Sequence, residues 1–184
     1  PVMEFLHRKK FTPNHVTLLA LFGSILTGVY VYLNEGWVYL VVVPVYLFIR
    51  MALNAIDGMM ARAYNQQSPL GEVLNELGDV LADLAIFYPL LLKFGMDKHP
   101  HVLVFFIALM IINEFVGVLG KAMGGTRRYD GPMGKSDRAL MIGLASIILF
   151  CSVHVLPYMQ YLFYLLDVLL LMSTFIRIKK SLSV

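Results

Sequence analysis

Two stretches of this sequence put carboxylates and amides where apolar side chains would be expected. At 100° per residue, Arg50, Asn54, Asp57 and Ala61 share one side of a helix, at i, i+4, i+7 and i+11. Further along, Glu72, Asn75, Glu76, Asp79 and Asp83 fall within an arc of roughly 100°, set among Val73, Leu74, Leu77, Val80, Leu81 and Leu84. A charge costs about 2.5–3.5 kcal/mol at mid-bilayer. Uncompensated carboxylates gathered there repel one another and tend to protonate. Something positive must sit among them, and Arg50 and Arg62 supply only part of it. Clustered carboxyl and amide oxygens are what hard divalent cations take as ligands, so a magnesium-type site between these two helices is the economical reading.

Small residues flank the acids: Gly58, Ala61, Gly71 and Gly78. Taken alone they suit close helix packing. Beside cation-binding carboxylates, the same bareness admits a bulky phosphate ligand to the backbone. A later loop, GKAMGGTRRYDGPMGKSDR, carries Lys121, Arg127, Arg128, Lys135 and Arg138, groups suited to anionic phosphates. It is no nucleotide-hydrolysing P-loop, because the first glycine of that pattern would be residue 129, a tyrosine, and no strand precedes it. Glu114 and Arg50 are two isolated charges within apolar runs, and pairing them with each other is the expected way to remove both. An acceptor-site role is the alternative for Glu114. His99 and His101 bracket Pro100, away from the acids, and are not expected to bind metal.

The elements that must hold these groups are hydrophobic helices. Of 184 residues 59% are hydrophobic and only 15% charged, with a mean hydropathy of +0.73, against about 25% charged in soluble domains. Six apolar stretches near the 20 residues needed to cross about 30 Å of hydrocarbon can be drawn, at 16–33, 37–58, 70–92, 102–120, 139–156 and 158–176. The last two part at Pro157. With the N-terminus cytoplasmic, the inner segments hold twelve Lys and Arg and the outer ones only Lys93 and Lys98. The expected fold is therefore an all-α integral membrane domain over 1–184, with six transmembrane helices and both termini cytoplasmic. No cleavable signal peptide is expected. The net charge of +3 follows from this bias and needs no nucleic acid. The single cysteine, Cys151, reads as a small core hydrophobe.

The spacing Asp57-Gly58-x-x-Ala61-Arg62, eight residues, Gly71, three residues, Asn75, three residues, Asp79 resembles the signature of the CDP-alcohol phosphotransferases. These are membrane enzymes with a six-helix core and the pattern D-x-x-D-G-x-x-A-R-x8-G-x3-D-x3-D. The segment TPNHVT before the first stretch and GKSDR at 134–138 are similar to elements of the family as well. Two positions depart from the pattern, since Asn54 and Asn75 stand where it has aspartates. An amide oxygen ligates a hard cation without a full negative charge. Metal affinity is thereby weakened, and one ion in place of two is a consequence to expect.

The resemblance implies transfer of a substituted phosphate, phosphatidyl for a diacylglycerol donor, from a CDP-linked lipid to a hydroxyl acceptor, releasing CMP in phospholipid biosynthesis. It implies Mg²⁺ or Mn²⁺, one or two ions, on Asn54, Asp57, Asn75 and Asp79. Gly58, Ala61, Arg62, Gly71 and Lys135 would receive the nucleotide and phosphates. Asp79 is the implied base for the acceptor hydroxyl, with Asp83 as its substitute. Lys121, Arg127, Arg128 and Arg138 would favour a small, phosphorylated alcohol. The active site would lie at the cytoplasmic face of a cell (inner) membrane, and relatives pair, so a homodimer is implied. The competing readings are a catalytically altered or inactive homologue and an ion or solute transporter.

Overall fold

The computed structural model describes residues 2–183, and among them every regular element is helical. The chain divides into two compact units, 1–90 and 91–184.

The first unit holds α1 (Val2–Arg8), α2 (Pro13–Leu33), α3 (Tyr39–Ala63) and α4 (Pro69–Lys93) up to residue 90. Local chemistry sets the starts of the long helices. Thr12 caps α2, its hydroxyl accepting from the His15 N–H while the His15 ring accepts from the Thr12 N–H, with Pro13 as the first helical residue. Ser68 does the same for α4, taking the Gly71 N–H at 3.0 Å, again with proline following. Between α3 and α4 the chain turns at residues 64–68 through Asn65, whose φ of 52° is left-handed. The His7 ring stacks on Tyr64 at 3.8 Å, fastening α1 to the end of α3. Gly28 permits the closest backbone approach. A Cβ there would overlap the Ala85 carbonyl of α4, so only glycine lets α2 settle on that helix. The buried core is Val16, Ala20, Leu40, Leu47, Met60 and Phe87, while Phe22, Leu26 and Phe48 face outward.

The second unit begins with a 3₁₀ turn (Met96–Lys98) and continues through α5 (Pro100–Ala122) and α6 (Lys135–Cys151). A second 3₁₀ turn (Val153–Tyr158) leads into α7 (Met159–Leu182). α5 and α7 pack through Phe106 and Phe163, edge to face at 5.1 Å. The loop after α5 folds back onto that helix, the Arg128 N–H donating to the Gly117 carbonyl at 3.0 Å. It then meets α7, where the Met133 N–H donates to Ser173 Oγ at 2.8 Å.

Among the described residues, four helical stretches are long and apolar enough to cross a membrane: Pro13–Leu33, Tyr39–Ala63, Pro100–Ala122 and Val153–Leu182. α4 has the length, but its acidic stripe removes it by composition, and α6 has only 17 residues. The helix expected at 139–156 starts four residues earlier and stops at Cys151. Ser152 is extended there, so the break precedes Pro157, which sits inside the 3₁₀ turn. Cys151 is exposed at the helix end and not in a core.

Candidate active site

In the first unit, α3 and α4 bring most of the polar residues read from the sequence to one place. Asn54 Nδ2 donates to Asp79 Oδ1 at 2.8 Å. Asp57, 3% exposed, accepts on Oδ2 from the Thr17 hydroxyl of α2 at 2.7 Å. Arg50 enters one turn before Asn54. Its guanidinium lies 2.6 Å from Asp83 Oδ1 and 3.6 Å from Asp79 Oδ1, and it donates to the Asp79 main-chain carbonyl at 3.3 Å. Arg50 is 4% and Asp83 2% exposed, so this is a pair largely withdrawn from water. Asn75 and Glu76 are half-buried on the same α4 face, and Glu72 is exposed in the first turn.

The small motif residues take up little room. A Cβ on Gly58 would touch only the far end of Arg62, at 3.6 Å, and the Arg62 side chain is exposed. At Gly71 a Cβ would come within 2.9 Å of Asn14 Oδ1 and 3.1 Å of Ser68 Oγ, so a side chain there would disturb the α4 cap. Gly71 N–H and its neighbours form the positive end of α4, a place suited to anions.

Among the described residues no set of three His, Cys, Asp or Glu side chains is gathered as a metal-holding group. The donor chemistry does fit a hard cation once the amides are counted. Asp57 and Asp79 supply carboxylate oxygens and Asn54 and Asn75 amide oxygens, at i, i+3 on α3 and i, i+4 on α4.

The second unit has the opposite balance. Glu114, 6% exposed, accepts from Arg127 Nη2 on Oε2 at 2.6 Å and from Arg138 Nη1 on Oε1 at 3.0 Å, with Arg177 Nη1 at 3.7 Å. Arg138 and Arg177 are each 1% exposed. Arg177 also donates to the carbonyls of Asn113 at 2.6 Å and Asp130 at 3.1 Å. Gly117, one turn after Glu114, carries no side chain where the Arg127 guanidinium and the Arg128 carbonyl lie. The expected Arg50–Glu114 pair is therefore wrong. Each charge finds its counter-ion nearer by, Arg50 on α4 and Glu114 in the loop, α6 and α7.

Of the other candidates, Arg128 Nη2 donates to the Lys180 carbonyl at 2.9 Å, Lys121 is exposed, and Lys135 is half-buried as the first residue of α6. His101 is hydrogen-bonded to Tyr164 at 2.7 Å. Sequence reasoning missed Thr17 and Arg177. Thr17 closes the segment TPNHVT and is a polar residue one turn into an apolar helix, which was a usable signal. Arg177 looked like one more cytoplasmic charge.

The family model for CDP-alcohol phosphatidyltransferase matches residues 10–176. The chain belongs to that family. It is 45% identical over 144 residues to the inner membrane protein YnbA of Escherichia coli, spanning 78% of this chain and 71% of that protein. Its fold is similar to that of the Mycobacterium tuberculosis phosphatidylinositol phosphate synthase (PgsA1) with CDP-DAG bound. The TM-score is 0.80 at 19% identity, over 98% of this chain and 92% of the other. The same synthase in complex with manganese and citrate gives a TM-score of 0.80 at 17% identity, over 98% and 87%. This family member is an integral membrane protein of phospholipid biosynthesis, a transferase by class.

Proposed function

We propose that this chain transfers a phosphatidyl or similar substituted phosphate from a CDP-linked diacyl lipid to the hydroxyl of a small alcohol, releasing CMP. The observation that carries the proposal is the Thr17–Asp57 and Asn54–Asp79 pairing on α2, α3 and α4, which holds the two motif carboxylates in fixed register. The acceptor oxygen forms a bond to the lipid-side phosphorus, and the bond from that phosphorus to the CMP oxygen breaks, CMP leaving with the electron pair. The hydroxyl proton passes to Asp79. Asp83 is the poorer base because Arg50 holds it at 2.6 Å. Asp57 and Asp79 with Asn54 and Asn75 would hold Mg²⁺ or Mn²⁺, which supplies Lewis-acid charge to the phosphoryl oxygens when bound. Gly58 and Ala61 leave the α3 surface bare for the pyrophosphate, Gly71 stands at the positive end of α4 that would receive it, and Arg62 and Lys135 are the phosphate ligands.

The second unit gathers Arg127, Arg138 and Arg177 at Glu114, and this arginine-rich setting supports a phosphorylated acceptor. Six membrane crossings, cytoplasmic termini and a site at the cytoplasmic face of the inner membrane complete the reading. The twelve-to-two charge bias and kinship with an inner membrane protein support it. The test is CMP release from CDP-diacylglycerol by the purified chain with Mg²⁺ or Mn²⁺ and a panel of alcohols and their phosphates, with Asp57→Ala as control. Acceptor-dependent release that disappears in the control is expected. No release with any acceptor would sink the proposal and favour an altered homologue.

A further inference from the structure

Arg50 and Asn54 are one turn apart on α3, and Asp79 and Asp83 are one turn apart on α4, so the two helices meet in two successive rungs. In one, Asn54 Nδ2 donates to Asp79 Oδ1 at 2.8 Å. In the other, Arg50 Nη1 lies 2.6 Å from Asp83 Oδ1. An ion pair alone would need only that contact. The second arm of the guanidinium goes elsewhere: Nη2 donates to the Asp79 main-chain carbonyl at 3.3 Å and lies 3.6 Å from Asp79 Oδ1. In a helix that carbonyl already accepts from a main-chain N–H, and its second lone pair takes the arginine. Asp79 is therefore gripped twice, by its backbone through Arg50 and by its carboxylate through Asn54. Asp83 holds the other arm of the fork.

We propose that Arg50 and Asp83 are positioning residues, a brace across the α3–α4 seam that aims the Asp79 carboxylate, and that Asp83 serves through Arg50 and not as a second base. This deepens the transferase reading and rests on it for the role of Asp79. A base must come within about 3 Å of the hydroxyl it deprotonates, and a misplacement of about 1 Å can cost roughly 100-fold in rate. Aim is thus worth as much here as charge. The brace depends on shape: a planar guanidinium reaches a carboxylate and a carbonyl at once, whereas an ammonium is a point charge on a flexible stem. Arg50 and Asp83 are both buried, which holds the fork in one place. Arg50→Lys separates the two contributions, because it keeps the charge and loses the fork.

The experiment is steady-state CMP release from CDP-diacylglycerol by the purified full chain in detergent micelles. Mn²⁺ affinity, read by the electron paramagnetic resonance of free Mn²⁺, and melting temperature are taken on the same preparations. Arg50→Lys is expected to lose at least about tenfold in kcat, with KM for CDP-diacylglycerol within about twofold of wild type. Asp83→Asn should lose a similar factor yet keep measurable turnover, where Asp79→Asn has none. Wild-type kcat in Arg50→Lys, Asp83→Asn as inactive as Asp79→Asn, or a kcat loss that merely tracks a loss of folded protein would overturn the proposal. If Arg50→Lys does not fold, Arg50→Gln combined with Asp83→Asn decides, since it removes both charges of the pair together. It should melt near wild type and still lose at least about tenfold in kcat, and wild-type kcat there would count against the brace. Arg50→Lys should also weaken Mn²⁺ binding about 10–100-fold, because Asp79 is a candidate ligand that the brace orients. That weakening in a chain that releases no CMP would leave the brace standing and defeat the transferase reading. Wild-type kcat and Mn²⁺ affinity in Arg50→Lys would do the reverse, and a wild type with neither CMP release nor saturable Mn²⁺ binding would overturn both.

Discussion

The two units solve the same electrostatic problem with opposite signs. In the first, one arginine sits between carboxylates, Arg50 with Asp79 and Asp83. In the second, one carboxylate sits among arginines, Glu114 with Arg127, Arg138 and Arg177. Both central groups are buried; Arg50 is met from α4, and Glu114 from a loop, α6 and α7. The surplus differs: negative in the first unit and positive in the second. A buried charge left alone would cost far more than its partners return, so each unit builds its counter-charge in.

The sharpest way to break the comparison is to remove the central carboxylate. Glu114→Gln keeps the shape and removes the carboxylate that Arg127, Arg138 and Arg177 share, the last two each 1% exposed. A loss of about 3–5 kcal/mol is expected, read as a lowered melting temperature in detergent. Inorganic phosphate should restore part of it, because the cluster would then bind an external anion in place of the missing carboxylate. A variant that melts with wild type would show that the three arginines do not need Glu114.

The two regions were unequally legible in the sequence. The first could be read almost in full, since α3 and α4 adjoin in the chain and helical periodicity alone puts Asn54, Asp57, Asn75 and Asp79 on facing stripes. Even there the sequence shows Thr17 only as a polar residue early in an apolar helix, and its contact with Asp57, forty residues away, has no local signal. The second was misread. Glu114, Arg127, Arg138 and Arg177 come from α5, a loop, α6 and α7, and no period links them. The expectation that Arg50 pairs with Glu114 follows from the logic that isolated membrane charges seek each other. The logic was right and the partners were wrong, for want of knowing which segments lie close. The end of α6 failed for a smaller reason: Ser152 adopts an extended conformation that hydropathy does not register.

A milder change sharpens the first half of the comparison. Thr17→Val keeps the branched shape and deletes the hydroxyl that donates to Asp57 at 2.7 Å. Loss of a hydrogen bond that orients a metal-ligand candidate should lower CMP release and Mn²⁺ affinity about 10–100-fold, with little change in melting temperature. Activity within twofold of wild type would remove Thr17 from the site.

The smallest effect lies at the edge of the basic unit, where Lys180 donates to Asp130. That hydrogen bond, helped by the charges of Lys180 and Arg128, holds the Asp130 carboxyl below its ordinary value. The sign follows from linkage. A depressed folded-state value means that the contact stabilises the protein above the unfolded carboxyl value, near 3.9, and is lost as pH falls through the lower folded one. Lys180 is 53% exposed, so the whole contribution is within about 1 kcal/mol. Asp130→Asn should therefore melt slightly below wild type at neutral pH, and the gap should close on acidification below the folded value. High salt should shrink it as well, because the pair is open to solvent. The Glu114 cluster is shielded from water and should respond far less to salt. A gap of the same size at every pH would mean that Asp130 acts through its shape and not its charge.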